Sequence, residues 1–271
     1  MLPLKVGAAL RVSALETYRE WLIDSQRDLE LQDFIFHDVL EGDSSGLVAE
    51  AKRLLDGHTG RLGIHGPFWG FTLHSRDPDV RKLVAKRMDQ ALEICIALDG
   101  THMVIHSPYS TWDHNNLDNT PGSRETVIGL VHDTLRAAVA KAEAHGIVLV
   151  IENIEDVDPT ERLRLAQSFD SDAVRLSIDT GHAHYAHSST GAPPVDYFVR
   201  SAGAMLSHVH LQDADGHADR HWAIGEGTIL WPPVFRALAD AAPEARLVLE
   251  LRDPAGIPAS MAYLEGLGLA R

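Results

Sequence analysis

The segment GIVLVIEN, residues 146–153, shows most clearly the unit from which this chain is built. Residues 147–151 form a continuous apolar run, as expected for a parallel strand that is buried on both faces. Gly146 stands between this run and a helical pattern over residues 125–145, and glycine is a typical stop for a helix. The run ends at a charged residue, Glu152. The segment therefore predicts a helix, a buried strand and a polar strand end in succession.

Units of this kind recur along the chain. The predicted strands cover residues 4–9, 29–36, 61–65, 103–106, 147–151, 174–178, 206–211 and 247–251. Helical patterns follow them at residues 15–24, 47–55, 79–98, 125–145, 159–169, 193–204, 232–242 and 254–267. Eight βα units predict an α/β fold, a single (β/α)8 TIM barrel over residues 1–271. The alternative is an open doubly wound sheet, but no glycine-rich phosphate loop follows the first strand.

Composition narrows the classes of function. The net charge is −15, from 24 Lys and Arg against 39 Asp and Glu, which gives no general attraction to nucleic acid or to an anionic membrane. The only cysteine, Cys95, lies in a helical pattern, which excludes a disulfide framework and a Cys-rich zinc site. The segment MLPLKVGAAL, residues 1–10, is too short for a secretory signal, and no apolar run approaches the roughly 18–20 residues of a membrane span. We therefore expect a cytoplasmic protein.

Polar residues that can bind metals end the third to eighth predicted strands. They are His65, His106, Glu152, Asp179 with His182 just beyond it, His210 and Glu250. The active site of a (β/α)8 barrel lies at the carboxyl ends of its strands. Three carboxylates directed at one small volume would repel one another, and no lysine stands at these strand ends to neutralise them. A divalent metal ion is the simplest solution, so the pattern predicts a metal site.

The segment HVHLQDADGHADRHWAIGEG, residues 208–227, follows the seventh strand and concentrates four histidines and three aspartates. Imidazole and carboxylate together suit zinc or manganese. We expect Asp219 and His221 to reach the metal site if this loop folds back across the barrel mouth. Gly216, Gly225 and Gly227 would permit the turns that this requires.

The strand-end motifs resemble those of the xylose isomerase-like TIM-barrel superfamily, over nearly the whole chain. This superfamily includes sugar isomerases and epimerases, and the AP endonucleases of the endonuclease IV type (AP endonuclease family 2). Resemblance to the isomerase branch implies one divalent metal ion held by Glu152, Asp179, His210 and Glu250. Resemblance to the endonuclease branch implies three zinc ions, with the additional ligands His65, His106, His182, Asp219 and His221. The segment DRHWAIGEGTI, residues 219–229, is especially similar to the endonuclease motif.

The first function class is a metal-dependent isomerase or epimerase with a small sugar or keto-sugar as its substrate. The resemblance implies that Glu152 and Glu250 exchange a proton with the substrate as general base and acid. A sugar dehydratase or lyase would use the same apparatus. Aromatic residues that follow the third and fourth strands are predicted to wall the substrate pocket, namely Phe68, Trp69, Tyr109 and Trp112. His208, two residues before His210 on one strand, is predicted to lie inside the barrel and to orient another side chain.

The second function class is phosphoester hydrolysis by a metal cluster acting on abasic DNA. Five additional ligands are more than one metal ion needs, which favours this class. The loop after the fifth strand opposes it, because Glu155, Asp156 and Asp158 would face a phosphate backbone with the wrong sign. We therefore expect sugar chemistry with one to three zinc or manganese ions. Hydrolysis and a non-catalytic metal-binding barrel stay as alternatives.

Overall fold

Eight parallel strands pair in chain order and close into a barrel, because the first strand pairs with both the second and the eighth. The strands are β1 (Gly7–Leu10), β2 (Leu29–Leu31), β3 (Leu62–His65), β4 (His102–His106), β5 (Val148–Glu152), β6 (Val174–Asp179), β7 (Leu206–Leu211) and β8 (Arg246–Leu249). This computed structural model describes residues 3–271, so Met1 and Leu2 of the N-terminal segment lie outside the described residues. The TIM-barrel prediction is confirmed, and the open sheet is excluded.

Eleven α-helices follow the strands within residues 3–271. They are α1 (Leu15–Asp24), α2 (His37–Glu41), α3 (Ser45–Leu54), α4 (Pro78–Ala97), α5 (Thr111–Asn116), α6 (Ser123–His145), α7 (Pro159–Ser168), α8 (Thr180–Thr190), α9 (Val195–Ala202), α10 (Trp231–Ala241) and α11 (Ile257–Gly266). None of the described helices combines the length and the apolar composition of a membrane span. Cys95 is fully buried on α4 and fills the core between helices and barrel.

The register of the central strands sets the polar side chains at one level. Glu152 at the end of β5 pairs with His106 at the end of β4, and Asp179 at the end of β6 pairs with His210 on β7. The apolar residues before them are buried on both sides of the sheet, except for the partly buried Val148 at the start of β5, as the continuous run in β5 predicted. The polar ends of four neighbouring strands therefore meet at the carboxyl end of the barrel.

Beneath this level the barrel interior holds a layer of buried polar side chains: Glu30, His102 and His208 have no exposed surface. His102 fits because β3 carries a glycine opposite it. A Cβ atom on Gly63 would lie 2.2 Å from the His102 ring, closer than atoms can approach. His208 thus lies inside the barrel, as predicted from the sequence.

Several segments differ from the predicted elements, and two of them have a clear local reason. The second strand ends at Leu31 instead of residue 36, because residues Asp33–Ile35 turn into a 3-10 helix and the Asp33 carboxylate accepts a hydrogen bond from the Val12 backbone at 2.8 Å. The polar loop predicted after β4 contains the helix α5. A reciprocal capping box between Ser110 and Asp113 starts this helix. A hydrogen bond from the turn that follows β1 accounts for the first difference and a local helix cap for the second.

Candidate metal centre

Four side chains that can bind a metal meet at the floor of the barrel mouth. This main group consists of Glu152, Asp179, His210 and Glu250, and one ligand atom from each lies within 4.8 Å of the others. The first three are buried, whereas Glu250 retains 12% side-chain exposure. Nδ1 of His210 lies 2.9 Å from Oε1 of Glu152 and 3.4 Å from Oε2 of Glu250. The structure therefore brings the four predicted ligands together.

The main group contains unpaired oxygens that fit a cation. Asp179 Oδ1 accepts a hydrogen bond from the His182 backbone at 2.6 Å and so caps α8. Asp179 Oδ2 and Glu152 Oε2 are buried and have no hydrogen-bond partner among the described residues. A buried carboxylate oxygen without a partner is costly unless a cation pairs with it. Three carboxylates and one imidazole form a donor set that suits zinc or manganese.

The charges of the main group are interdependent. Burial raises the pKa of Asp179 to about 6, although His182 and His221 oppose the shift. Burial also disfavours the ionised form of Glu152, but His210 and His65 outweigh it and hold the pKa of this carboxyl well below its ordinary value. Burial disfavours the charged form of His210, yet Glu250, Glu30 and Glu152 keep its pKa well above the usual range. Without a cation, a protonated His210 therefore neutralises part of the carboxylate charge.

A second group shares one member with the main group. His65 Nε2 and His106 Nε2 lie 3.5 Å and 3.7 Å from Oε2 of Glu152, the oxygen that lacks a hydrogen bond. These three residues can also surround a metal ion. Burial lowers the pKa of His106 to about 3, so this ring is neutral and has the lone pair that a ligand requires.

A third group, called here the rim group, consists of His182, Asp219 and His221. Asp219 Oδ1 lies 3.4 Å from His182 Nε2 and 3.0 Å from His221 Nε2. Burial disfavours protonation of His221, but Glu250 and Asp219 raise its pKa to about 9. Asp219 keeps 51% side-chain exposure, so the rim group lies nearest to solvent. The five additional side chains thus lie beside the main group.

The loop after β7 folds back across the mouth because Asp213 anchors it from below. Its buried carboxylate accepts hydrogen bonds from Trp231 Nε1 at 3.1 Å, from the Gly225 backbone at 2.9 Å and from the Ile229 backbone at 3.2 Å. A Cβ atom on Gly227 would lie 2.3 Å from Oδ1 of Asp213, so only glycine fits there. This anchor carries Asp219 and His221 to the rim.

Two amide side chains that sequence reasoning did not single out hold Asp179 in place, and one of them also reaches the rim group. Gln212 Nε2 donates hydrogen bonds to Asp179 Oδ1 at 3.2 Å and to Asp219 Oδ1 at 3.0 Å, which connects the main group to the rim group. Asn153 accepts a hydrogen bond from the Asp179 backbone at 2.9 Å. Both residues stand beside strand ends, in the motifs VIEN and HVHLQD, and this position is the signal that identifies them.

A carboxylate in the middle of β2 was also missed by sequence reasoning. Glu30 Oε1 lies 2.9 Å from Nε2 of His210, on the opposite side of the ring from Glu152. The signal was a charged residue inside an otherwise apolar strand, LEL. A buried charge inside a strand is costly unless another group pairs with it, and here His210 is that group.

A cavity of about 950 Å³ at the barrel mouth is lined by members of all three ligand groups, although not by Asp179 or His210. Phe68 and Trp69 form part of its wall. Tyr109 and Trp112 do not line it. Tyr109 is 2% exposed and packs against His114, with ring centroids 5.1 Å apart, beside a smaller neighbouring cavity. Trp112 is 76% exposed on α5 and borders another surface cavity. The cap that starts α5 at Ser110 accounts for this, because it winds the chain into a helix.

The acidic surface expected after β5 is present only in part, because one of its three carboxylates is buried. Asp156 is buried and pairs with Arg162 at 3.1 Å, so the prediction that it faces outward was wrong. Arg162 also donates to the backbone carbonyls of Ile151 and Ser177, and so braces the ends of β5 and β6. Asp158 caps α7 by accepting from the Thr160 backbone. Glu155 and Asp158 remain exposed, so two of the three expected acidic side chains lie on this surface.

Comparison with known proteins agrees with this geometry. Residues 26–268 match the family described as xylose isomerase-like TIM barrel. An uncharacterized protein from Methanocaldococcus jannaschii is 28% identical over 200 residues, and the match spans 69% of this chain but only 63% of that relative's length.

Two further proteins resemble the chain over most of its length. D-psicose 3-epimerase from Ruminiclostridium cellulolyticum is 25% identical over 248 residues, which cover 86% of this chain and 80% of the enzyme. The structure of a Thermus thermophilus protein, soaked with zinc chloride, is similar with a TM-score of 0.70 at 25% identity, covering 97% of this chain and 98% of that protein. The strand-end motifs, the closed barrel and the match over residues 26–268 together assign the chain to the xylose isomerase-like TIM barrel family.

Proposed function

We propose that the protein is a divalent-metal-dependent isomerase or epimerase that acts on a sugar or keto-sugar. The observation that supports this proposal is the position of Glu152 and Glu250 at the floor of the mouth cavity. Glu152 approaches Nδ1 of His210 from the end of β5, and Glu250 approaches it from the position directly after β8. The similarity to D-psicose 3-epimerase supports the substrate class.

The donor set determines which residues would hold the metal ion. Glu152, Asp179, His210 and Glu250 would bind it, and the unpaired oxygens of Glu152 and Asp179 are the sites that most need a cation. When bound, a divalent ion polarises neighbouring carbonyl and hydroxyl oxygens and lowers the pKa of the adjacent C–H bond. The zinc-soaked structure of the Thermus protein makes zinc, beside manganese, the first ion to test.

The two glutamates supply the proton transfer. Glu152 is held in its ionised form and can remove a proton from a sugar carbon, and Glu250 approaches from a different strand to return one to the other face. Gln32 donates a hydrogen bond to Glu250 and fixes its orientation. Phe68 and Trp69 give the cavity an apolar wall against which the sugar ring can pack. The same residues would serve a dehydratase or lyase that starts with removal of this proton.

The test is turnover of a panel of ketohexoses and ketopentoses by protein loaded with manganese or with zinc, followed by chromatography of the products. Interconversion of at least one ketose with its epimer or aldose isomer, abolished by EDTA and restored by the metal, is expected. Metal uptake without turnover of any sugar would instead support the non-catalytic metal-binding barrel.

A second function is favoured by one specific observation. The second group and the main group share Glu152, and the rim group lies beside them, so three metal ions could bind side by side. Clustered ions stabilise the attacking and leaving oxygens of phosphoester hydrolysis. The discriminating measurements are the number of metal ions per chain and zinc-dependent cleavage of a duplex with one abasic site. Three zinc ions with DNA cleavage and no sugar turnover would replace the epimerase proposal.

A further inference from the structure

His210 makes contacts through both of its ring nitrogens. Nδ1 faces Glu152 and Glu250 in the main group, whereas Nε2 lies 2.9 Å from Oε1 of Glu30 in the barrel interior. Both Glu30 and His210 are fully buried, so water does not compete for this second contact. The ring is thus held between the proposed metal site and a carboxylate beneath it.

The chemistry of imidazole indicates which ring nitrogen carries the proton and which one has the lone pair. A neutral ring has one N–H donor and one lone pair, and a carboxylate oxygen can only accept. Both ring nitrogens face a carboxylate oxygen at 2.9 Å, but a cation bound at Nδ1 would displace the proton there. The proton that stays on the ring therefore belongs on Nε2, where it is donated to Glu30. The lone pair is then on Nδ1, directed at the volume that the main group surrounds. A carboxylate placed behind a ligating histidine in this way fixes its tautomer and raises its basicity.

Glu30 is itself held in place by its neighbours. Its second oxygen, Oε2, lies 3.2 Å from Nε2 of His208, and Nδ1 of His208 is 2.9 Å from the hydroxyl of Ser177. Gln32 donates to Oε1 of Glu30 at 3.3 Å. These contacts leave Glu30 no path to the mouth cavity, which it does not line. Its shortest contact with the proposed metal site is the one to His210 at 2.9 Å, and the contact with Gln32, which also donates to Glu250, is longer.

We propose that Glu30 is the positioning residue of the metal centre, which selects the Nε2–H tautomer of His210 and directs Nδ1 toward the ion. This inference rests on the proposed metal-dependent function. Glu30, His208 and His210 are close enough to surround an ion themselves, but all three are sealed from solvent and His210 would have to use Nε2 for it. The tautomer of His210 therefore distinguishes positioning from direct ligation.

The first measurement is zinc affinity, by competition with a chelator, in the wild type and in Glu30→Gln. Loss of the carboxylate behind a ligating histidine is expected to weaken binding about 10- to 100-fold, with unchanged stoichiometry at saturating zinc. The matched control is Asp28→Asn. Asp28 is also buried and precedes the same strand at the opposite end of the barrel, where it pairs with Arg61 at 2.9 Å. The control should bind zinc as the wild type does.

The second measurement is the tautomer of His210 in the zinc-loaded wild type, from long-range proton–nitrogen NMR with the signal assigned by loss in His210→Asn. A protonated Nε2 and a metal-bound Nδ1 are expected. This measurement is made on the wild type, so it does not depend on whether a Glu30 variant folds. Zinc on Nε2, wild-type affinity in a folded Glu30→Gln protein, or loss of one whole ion in that variant overturns the inference while the metal-dependent function stands. A wild type that takes up no metal overturns both.

Discussion

Nδ1 of His210 and Oε1 of Glu152 lie 2.9 Å apart and form a direct contact at the centre of the main group. A metal ion bound by both residues must replace the proton that now joins them. Metal uptake at this site is therefore coupled to proton release.

Metal affinity should rise with pH. The pKa of His221 is raised to about 9, and the pKa of His210 lies well above its usual value. Below these pH values both rings are protonated, and a cation must displace a proton from each ring that it binds. Zinc affinity is expected to increase from pH 6 to pH 9, by about tenfold per pH unit for each proton displaced. Titration calorimetry in two buffers with different ionisation enthalpies measures the protons released. Affinity independent of pH would contradict the assigned ligands.

Asp179→Ala should abolish metal uptake by the main group. The substitution removes a central charged ligand and leaves Glu152 and Glu250 repelling each other. Elemental analysis of the purified variant checks this. Asp215→Asn is the control, because Asp215 pairs with Arg220 in the same loop but belongs to none of the ligand groups. Wild-type metal content in Asp179→Ala would show that the main group is not the metal-binding site.

Glu152→Gln and Glu250→Gln should each lower kcat for sugar conversion by at least about 100-fold, because each loses a general acid or base. Glutamine keeps the shape of the side chain and one oxygen for the metal. Steady-state kinetics with saturating metal separate lost chemistry from lost metal binding. Glu155→Gln is the control, since Glu155 is hydrogen-bonded to the Thr111 backbone and is not a ligand. An unchanged kcat in either ligand variant would remove that residue from the mechanism.

Asp213→Ala should destabilise the protein by about 3 kcal/mol, because several buried donors lose their acceptor. The Trp231 indole and the Gly225 backbone are among these donors. Chemical denaturation measures the loss. The rim group should also bind metal more weakly, since its loop loses its anchor. A stable variant with unchanged metal content would show that the loop is held in another way.

The strand-end residues were predictable because each one interrupts an apolar run at the point where a buried strand ends. The closed barrel then requires those ends to meet, so Glu152, Asp179 and His210 could be placed together from the sequence alone. Glu30 could not be placed by that rule, because it lies in the middle of β2 and contacts His210 from the barrel interior.

Local capping accounts for two of the other differences, and a buried ion pair accounts for a third. Helix α8 has no clear apolar period, and it starts because Asp179 caps it with the same carboxylate that belongs to the main group. The motif STWD, residues 110–113, starts α5, and Trp112 lies on that helix instead of at the mouth. Asp156 looked like an exposed acid because its partner, Arg162, lies further along the chain in α7.

The most direct test of the proposed function is exchange of substrate hydrogen with solvent. Metal-loaded protein is incubated with ketoses in heavy water, and deuterium at the carbons next to the carbonyl group is measured by NMR. The account predicts metal-dependent incorporation of deuterium into at least one ketose, lost after EDTA treatment and strongly reduced in Glu152→Gln. Absence of exchange with every ketose, together with zinc-dependent cleavage of abasic DNA by the same preparation, would contradict it.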